Sequence, residues 1–464
     1  MSYQDFLAKK AQKNTGHGFE PIAIPDHLFD FQRELVEWAV RQGRAAIFAD
    51  CGMGKTAMEL AWAENVHRKT GKPVLLLTPL AVGFQIAGEA DRFGHDADQS
   101  RNGKPTAPIT ITNYEQAQKF NPADFGGVVC DESSAIKAFD GTTREIVTEL
   151  MREMPYRLLG TATAAPNDYL ELGTSSEALG ELGYMDMLGR FFVNDQRTST
   201  HRPMSGKNVD GKFIHGTMGG YRFKGHSEMP FWRWVSSWAR AIRKPSDYGY
   251  PDDGFILPDL RQVQHVVESS IKREDTLFDV AAVGLAEERA ESRRSLPDRC
   301  EKAADLLADA DSAVAWCHLN DESAMLTRLI DGAVEITGSD SPEAKEDKLL
   351  AFSGGDIRVL VTKPSIGAWG LNWQHCHRMT YFPSHSYEQY YQAVRRSWRF
   401  GQKNPVTIDV VTSKGMENIL GSLQRKSEQA DRMFDALLSH MTDALKLARR
   451  VEHTKRMELP TWAA

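Results

Sequence analysis

Residues 45–56 read AAIFADCGMGKT, an apolar run followed by a glycine-rich turn and a Lys-Thr pair. A helical pattern continues to Thr70, and Gly71 supplies a stop signal. A strand, a glycine-rich turn and a helix in this order are the context that a phosphate-binding loop requires. Gly52 and Gly54 let backbone N–H groups approach phosphate oxygens, and the start of the helix adds a partial positive charge. The stretch therefore predicts a nucleotide-binding α/β domain.

The loop has a defined expected role for each of its last residues. Lys55 is expected to reach the β- and γ-phosphates of ATP, and Thr56 to bind Mg²⁺. Cys51 and Met53 are expected to contact the nucleotide beside the two glycines. Ala49 departs from the usual Gly-x-x-x-x-Gly-Lys-Ser/Thr pattern, in which the first position is glycine. A glycine-rich turn with an exposed lysine is the weaker alternative, because a strand and a helix flank this turn.

A carboxylate pair follows a second apolar run. Residues 127–130 read GVVC and are followed by Asp131 and Glu132. The carboxyl end of a buried strand lies where α/β sheets bind ligands. Asp131 is expected to hold Mg²⁺ through its water shell, and Glu132 to orient and deprotonate an attacking water. The same residues could also cap a helix, but the phosphate loop upstream favours the catalytic interpretation.

Strand-like runs alternate with helical patterns in two separate stretches of the chain, which is typical of doubly wound α/β domains. A chain of 464 residues exceeds a single core, so two main domains are expected. The predicted strands lie at residues 45–49, 74–78, 109–111, 128–130 and 157–159, and at 313–317, 333–336, 359–361, 378–382 and 406–411. The predicted divisions are an N-terminal tail (1–20), a first lobe (21–175), an insertion or linker (176–258), a second lobe (259–420) and a C-terminal helical segment (421–464).

Composition limits the class of protein. The 5 cysteines lie far apart without a Cys-x-x-Cys pair, which argues against zinc and disulfides and fits a reducing cytoplasm. No apolar run approaches the length that spans a bilayer, so no membrane association is expected. The formal net charge of -7 means that any contact with phosphate groups must come from a local basic patch.

Such a patch occurs in residues 190–244, where basic residues outnumber acidic ones and alternate with aromatic residues. Basic residues interleaved with aromatics suit contact with a nucleic-acid backbone and stacking on bases. The helical spacing of Trp234 and Trp238 equally fits a packed core, and we favour core for these two. The predicted nucleic-acid contacts in the segment are Arg233, Arg240 and Arg243.

Further motifs resemble those of the superfamily two helicases and, within them, the Snf-type translocating ATPases. Residues 28–32, LFDFQ, look like the family's leading glutamine motif, in which Gln32 would read the adenine edge. Residues 78–79 and 111–115 are similar to the first nucleic-acid-contacting motifs of the family. The contacts that this resemblance implies are Thr78, Pro79, Asn113 and Tyr114.

Two more first-lobe motifs connect hydrolysis to movement in this family. Residues 131–137, DESSAIK, match the form Asp-Glu-x-His-x-x-Lys with Ser134 in place of the histidine. Residues 159–163, LGTAT, resemble the coupling motif and imply roles for Thr161 and Thr163. Because Ser134 departs from the family pattern, the connection between the two motifs is left open.

The second stretch carries the motifs that simple phosphate-loop enzymes lack. Residues 367–373, GAWGLNW, resemble the glycine-rich motif that touches the nucleotide, which implies Gly370 at the ATP site. Residues 392–402, QAVRRSWRFGQ, are close to Gln-Ala-x-x-Arg-x-x-Arg-x-Gly-Gln and imply Gln392 there as well. In a helix, Arg396 and Arg399 share a face, and both guanidiniums could meet the γ-phosphate.

The resemblance predicts an α/β fold of two tandem RecA-like doubly wound parallel-sheet domains, with an inserted basic and aromatic segment. A C-terminal helix is expected to pack on the second lobe. ATP and Mg²⁺ are the expected cofactors, and the expected partner is nucleic acid, DNA rather than RNA. The expected function is a nucleic-acid-stimulated ATPase that translocates on DNA and remodels duplexes, forks or bound protein.

Two other functions stay open from the sequence. One is a helicase that separates DNA or RNA strands, and the other is a nucleotide-gated nucleic-acid-binding module without turnover. The compact length is similar to phage and bacterial members of the family, and a monomeric motor is expected.

Overall fold

The computed structural model describes residues 16–80, 82–138, 141–165, 169–194, 221–270, 285–367 and 372–455. The predicted nucleotide contact Gly370 lies outside these residues, as does part of the predicted insertion, residues 195–220. Within the described residues, no helix is both long enough and apolar enough to cross a lipid bilayer.

The first lobe contains a seven-stranded sheet in which every pairing is parallel. Its order is β3-β4-β2-β5-β6-β1-β9. The strands are β1 (Arg44–Ala49), β2 (Val74–Thr78), β3 (Ala97–Gln99), β4 (Ile109–Asn113), β5 (Gly127–Cys130), β6 (Tyr156–Thr161) and β9 (Ala239–Ile242), and a separate antiparallel pair is formed by β7 (Phe192–Asn194) and β8 (Tyr221–Phe223). The helices are α1 (Asp30–Gln42), α2 (Lys55–Thr70), α3 (Gly83–Phe93), α4 (Ala135–Ala138), α5 (Gly141–Glu153), α6 (Leu172–Leu179), α7 (Tyr184–Phe191) and α8 (Glu228–Trp238).

The second lobe contains a six-stranded parallel sheet in the order β10-β15-β14-β11-β13-β12. Its strands are β10 (Leu260–Val267), β11 (Ala313–Trp316), β12 (Ala333–Ile336), β13 (Val359–Thr362), β14 (Arg378–Tyr381) and β15 (Val406–Ser413). The helices are α9 (Leu285–Arg294), α10 (Leu296–Leu307), α11 (Asn320–Leu329), α12 (Pro342–Gly354), α13 (Pro364–Gly367), α14 (Tyr387–Val394) and α15 (Glu417–Lys455).

The two sheets confirm the predicted fold class. The inner strands β2 and β5 are buried along their whole length, as expected when helices cover both faces of a parallel sheet. Every strand predicted from the sequence is present, and the sequence pattern missed β3, β7, β8, β9 and β10. All parallel strands end at one edge of their sheet, so each lobe presents its functional loops along a single edge.

The segment predicted as an insertion contributes to the first lobe, which corrects the boundary at residue 176. Strand β9 pairs in parallel with β1, so that Ala46 lies opposite Ala239. Trp234 and Trp238 of the preceding helix α8 are buried in the first-lobe core, which confirms the core interpretation of both. The helical spacing of these rings places them on the face that covers the sheet.

The C-terminal helix α15 packs mainly on the first lobe, and the prediction that it packs on the second lobe was wrong. Met433, Leu437 and Met441 are buried in the core of the first lobe. The backbone N–H of Ala241 in β9 lies 3.0 Å from the sulfur of Met441. The physical reason is that β9 is an edge strand with an apolar face, which the helix covers. Near the start of the helix, Leu420 packs against the second-lobe core, and Lys426 donates to the His385 carbonyl of the second lobe at 2.6 Å.

Replacing Leu437 by alanine is expected to destabilise the first lobe by about 2–4 kcal/mol, because a fully buried leucine is truncated. Hydrogen exchange should accelerate in β9 and stay unchanged in β14. The matched control is Leu350→Ala on α12, a half-exposed leucine whose truncation should change stability by less than about 0.5 kcal/mol. Accelerated exchange in β14 instead of β9 would contradict the observed docking of the helix.

Candidate active site

The phosphate loop connects β1 to α2 and depends on two glycines. Gly52 and Gly54 have φ of 91° and 75°, in the left-handed region that favours glycine. A Cβ on Gly52 would lie 2.7 Å from the backbone nitrogen of Phe400 in the second lobe. A Cβ on Gly54 would lie 2.2 Å from the Gln32 side-chain nitrogen. The loop is therefore packed between α1 and the second lobe with no room for a side chain.

Gln32 braces this loop from the first turn of α1. Its side-chain nitrogen donates to the Met53 carbonyl at 2.8 Å, and its side-chain oxygen accepts from the Phe29 N–H at 3.0 Å. The side chain is buried. A direct contact between Gln32 and an adenine edge stays a prediction.

Lys55 lies between the two carboxylates that follow β5. Its Nζ is 2.7 Å from Glu132 Oε1 and 3.2 Å from Asp131 Oδ1. Burial opposes the lysine charge, but the two carboxylates outweigh burial and raise the pKa of Lys55. Burial also opposes ionisation of Glu132, yet Lys55, Arg396 and Thr161 together lower its pKa. The site therefore holds a protonated lysine beside an ionised glutamate.

Glu132 has an unusual backbone conformation. Its φ of 49° is the one positive value recorded for a residue other than glycine within the described part of the chain. Such a conformation costs about 1–3 kcal/mol and persists only where the surroundings enforce it. Here the Ser133 N–H donates to the Gly160 carbonyl at 2.8 Å, and the Ala135 N–H donates to the Glu132 carbonyl at 2.8 Å. The turn aims the Glu132 carboxylate at Lys55.

Two residues predicted to contact nucleic acid brace Asp131 instead. Thr78 Oγ1 donates to Asp131 Oδ2 at 3.3 Å, and the Tyr114 hydroxyl donates to the Asp131 carbonyl at 2.7 Å. Both side chains are buried, so they do not reach a surface on which a strand could lie. Asn113 caps the short helix that follows β4, and Pro79 is partly exposed. The predicted nucleic-acid role is corrected for Thr78 and Tyr114.

The predicted coupling motif contacts Glu132 through Thr161. Thr161 Oγ1 lies 3.5 Å from Glu132 Oε2, and the Thr163 N–H donates to Thr161 Oγ1 at 3.0 Å. The hydroxyl of Ser134 is buried and has no hydrogen-bond partner among the described residues. The two motifs are therefore in contact through Glu132 and Thr161, and the coupling roles of Ser134, Thr161 and Thr163 stay predictions.

The expected helix through Arg396 and Arg399 ends early, at Val394. The following residues form successive turns, in which the Trp398 N–H donates to the Val394 carbonyl at 3.0 Å. Both arginines nevertheless lie near enough to Cys51 and Glu132 for charge interactions. Burial, with Arg399 beside it, lowers the pKa of Arg396 to about 10, which leaves the guanidinium charged at neutral pH.

Gln392 lies one turn before these arginines, on α14. Its side chain is buried, and neither its oxygen nor its nitrogen has a hydrogen-bond partner among the described residues. An unsatisfied buried amide costs about 1–3 kcal/mol, which a nucleotide or a water could recover. The geometry is therefore compatible with the predicted nucleotide contact.

The sequence did not predict the polar contacts of Asp50 that connect the two lobes. The Asp50 carboxylate in the phosphate loop accepts from the Arg395 guanidinium and from the Tyr391 hydroxyl of the second lobe. It also accepts from the Cys51 N–H at 2.6 Å. The Arg395 guanidinium lies 4.4 Å from the Trp398 ring centre. The motifs did not predict these contacts, because Asp50 and Arg395 stand at positions where the motif patterns specify no residue.

Glu59 is a second residue that sequence reasoning missed. It lies one turn after Lys55 on α2, and its buried carboxyl oxygens have no hydrogen-bond partner in the described part of the chain. Burial and the nearby Asp131 raise its pKa well above the usual range, which favours the neutral form. A Cβ on Gly160 would lie 1.7 Å from its Oε1. The glycine of the coupling motif is therefore needed to admit this side chain.

Two arginines of the predicted basic patch make contacts within the protein. Arg240 lies 4.5 Å from the Trp38 ring centre, and burial lowers its pKa. Arg243 binds two aspartates of α15 at 3.0 and 3.1 Å. Arg240 and Arg243 therefore have structural contacts, and their predicted contact with nucleic acid stays a prediction. Arg233 is exposed, and its contact with nucleic acid stays a prediction.

No protein-family model and no curated protein sequence matches this chain. Among solved structures, it is similar to the Mycobacterium smegmatis helicase Lhr bound to single-stranded DNA and AMP-PNP, with 15% identity and a TM-score of 0.50. That likeness covers 86% of this chain and 50% of Lhr, so the chain spans about half the length of that helicase. A Sulfolobus solfataricus SWI2/SNF2 ATPase core in complex with double-stranded DNA matches at 17% identity and a TM-score of 0.41, over 96% of this chain and 99% of that one.

The order of the strands, the two parallel sheets and the likeness to Lhr define the class of fold. The chain contains two tandem RecA-like α/β domains, a fold that it shares with Lhr.

The ion pair between Asp50 and Arg395 can be tested with Asp50→Asn, Arg395→Gln and the double variant. Each single variant leaves one buried charge without its partner, whereas the double variant leaves none. We expect the double variant to be more stable than the sum of the single effects predicts, by at least about 1 kcal/mol. The measurements are thermal unfolding and the distance between the lobes by fluorescence energy transfer. Strictly additive effects would show that the two residues do not interact.

Proposed function

We propose that this protein is an ATPase that nucleic acid stimulates and that translocates along DNA. One observation carries the proposal: Arg396 and Arg399 of the second lobe lie near enough to Glu132, which pairs with Lys55 in the first lobe, for charge interactions, and the neighbouring Phe400 packs against Gly52. Phosphoryl transfer needs charge stabilisation more than covalent help. If the active site is divided between two lobes, ATP is hydrolysed only when the lobes close on it. Hydrolysis would therefore be coupled to movement of one lobe relative to the other.

The chain's own side chains fit ATP and Mg²⁺. Lys55 would bind the β- and γ-phosphates, which replace the carboxylates as its partners. Asp131 and Thr56 present a carboxylate and a hydroxyl at the ends of neighbouring elements, and oxygen ligands of this kind suit Mg²⁺. The metal would supply charge neutralisation on the phosphates when bound. The ionised Glu132 would orient the attacking water and accept its proton.

Two sets of contacts would couple ATP hydrolysis to movement of the lobes. Thr161 contacts Glu132 directly, so a change at the carboxylate reaches the segment after β6. Asp50 binds the second lobe through Arg395, so a change in the phosphate loop reaches that lobe. Loss of the γ-phosphate would disturb both contacts together, and the lobes would then separate.

Nucleic acid as the partner is supported by the fold and by the similar helicase Lhr, whose structure contains single-stranded DNA. In this chain the candidates for contact are the exposed Arg233 and the partly exposed Pro79. A strand-separating helicase is the second candidate function, because Lhr is described as a helicase.

The division of roles between the lobes predicts different defects for two substitutions. Lys55→Ala should weaken ATP binding, because it removes the charge that meets the phosphates. Arg399→Ala should leave ATP affinity within a factor of about 3 and lower kcat by about 10³-fold, the effect of losing an arginine that acts only in the transition state. Nucleotide binding by equilibrium titration and turnover at saturating ATP separate the two. Turnover at the parent rate in Arg399→Ala would exclude the two-lobe mechanism.

ATPase activity measured with single-stranded DNA, duplex DNA, forked DNA and RNA should identify the nucleic acid along which the protein moves. A DNA translocase should be stimulated most by DNA, with a rate that grows with duplex length while little strand is displaced. Strand displacement in proportion to ATP consumed would favour the helicase instead. Zero turnover with every nucleic acid would indicate a nucleotide-gated binding module.

A further inference from the structure

A cavity of about 400 Å³ lies at the carboxyl edge of the second-lobe sheet. The segments that follow β11 and β14 form its inner walls, and α9, α10 and the start of α15 surround it. This edge of an open parallel sheet is where α/β proteins bind ligands. None of the residues that we assign to the ATP site lines the cavity, so it is a separate candidate site.

Two arginines at the rim of the cavity form no ion pair with the described residues of the protein. Arg289 and Arg293 are one turn apart on α9 and therefore share a face. Both side chains are exposed, and neither forms an ion pair with a carboxylate in the part of the chain that the structure describes. On a chain whose net charge is -7, an unpaired pair of guanidiniums beside a cavity attracts anions locally.

The acidic residue in the lining, Glu322, does not cancel this charge. Its carboxylate pairs with Arg299 at 2.7 Å. It also accepts from the backbone N–H groups of His318 and Leu319, at 2.9 and 3.0 Å. Because Glu322 is neutralised from within the lobe, the charge that the cavity presents to a ligand is positive.

His318 supplies an independent sign of a ligand. Its imidazole lines the cavity and is partly buried, and its buried Nε2 has no hydrogen-bond partner among the described residues. Leaving a buried polar nitrogen without a partner costs about 1–3 kcal/mol. A ligand oxygen inside the cavity would satisfy it. The ring is held beside Tyr381, with ring centres 5.8 Å apart in an edge-to-face arrangement, so its position is fixed.

Part of the remaining lining is apolar, while Ser292, Ser384 and His385 add polar groups. Phe382, Pro383 and Met416 form a wall next to the polar groups. A bare inorganic anion needs no such wall, whereas a phosphate group attached to a sugar or another organic group does. The combination of two arginines, one imidazole and an apolar wall therefore matches a phosphate ester.

We propose that this cavity is a second phosphate-binding site, which takes the phosphate group of a phosphate ester. Arg289 and Arg293 bind its outer oxygens through their planar guanidinium groups, and His318 Nε2 contacts an oxygen inside the cavity. A nucleic-acid strand and a free phosphorylated small molecule offer the same chemistry. The site requires no ATP hydrolysis, so it stands independently of the proposed function.

The test compares Arg289→Ala/Arg293→Ala with the control Arg328→Ala/Arg144→Ala, which removes two exposed positive charges elsewhere. Both pairs are made in a Lys55→Ala background to suppress phosphate binding at the ATP site. The first measurement is the rise in Tm on adding inorganic phosphate or glycerol phosphate. The second is affinity for duplex DNA across a range of salt concentrations. Because the substituted arginines are exposed, all of these variants are expected to fold.

If a nucleic-acid strand supplies the phosphate, the slope of log affinity against log salt should fall by about 0.9 for each lost contact relative to the control. If a free phosphate ester is the ligand, the rise in Tm should be lost in the Arg289/Arg293 variant and kept in the control. The NMR signal of the His318 ring should shift when the ligand is added in either case, and His318→Gln should reproduce the loss. Behaviour identical to the control in both measurements would overturn the proposal.

Discussion

The rest of the site depends on one buried charge, the ammonium group of Lys55 between Asp131 and Glu132. Lys55 begins α2 and the carboxylates follow β5, and parallel strands bring these two points to the same edge. Buried charges are stable only when they are paired and hydrogen-bonded. The surrounding braces follow from this requirement: Thr78 and Tyr114 hold Asp131, and Thr161 approaches Glu132. Under the proposed function, Lys55 would exchange these carboxylate partners for phosphates.

The second lobe completes this cluster from across the cleft. Arg395 pairs with Asp50, while Arg396 and Arg399 lie within the electrostatic field of Glu132. Three arginines close together in the chain thus differ in their contacts: Arg395 connects the lobes, whereas Arg396 and Arg399 would meet the phosphates under the proposed function. The close packing of Phe400 against Gly52 explains why the loop tolerates no side chain there.

Late parts of the chain complete the first lobe. Strand β9 adds the edge next to β1, and α15 covers it with Met433, Leu437 and Met441. The start of α15 packs against the second lobe. A helix that contacts both lobes is a mechanical connection between them, in addition to the linker before β10. Arg243 strengthens this connection through its ion pairs with α15.

The sequence by itself determined the two α/β lobes, the phosphate loop and the carboxylate pair. Local patterns suffice for these, because apolar runs specify buried strands and each motif is contiguous in the chain. Only the tertiary structure decided what Asp50, Glu59, Thr78 and Tyr114 contact, since their partners are distant in sequence or buried by packing. The same reason applies to β9 and α15: an amphipathic pattern shows that a face will be buried, but not against which lobe.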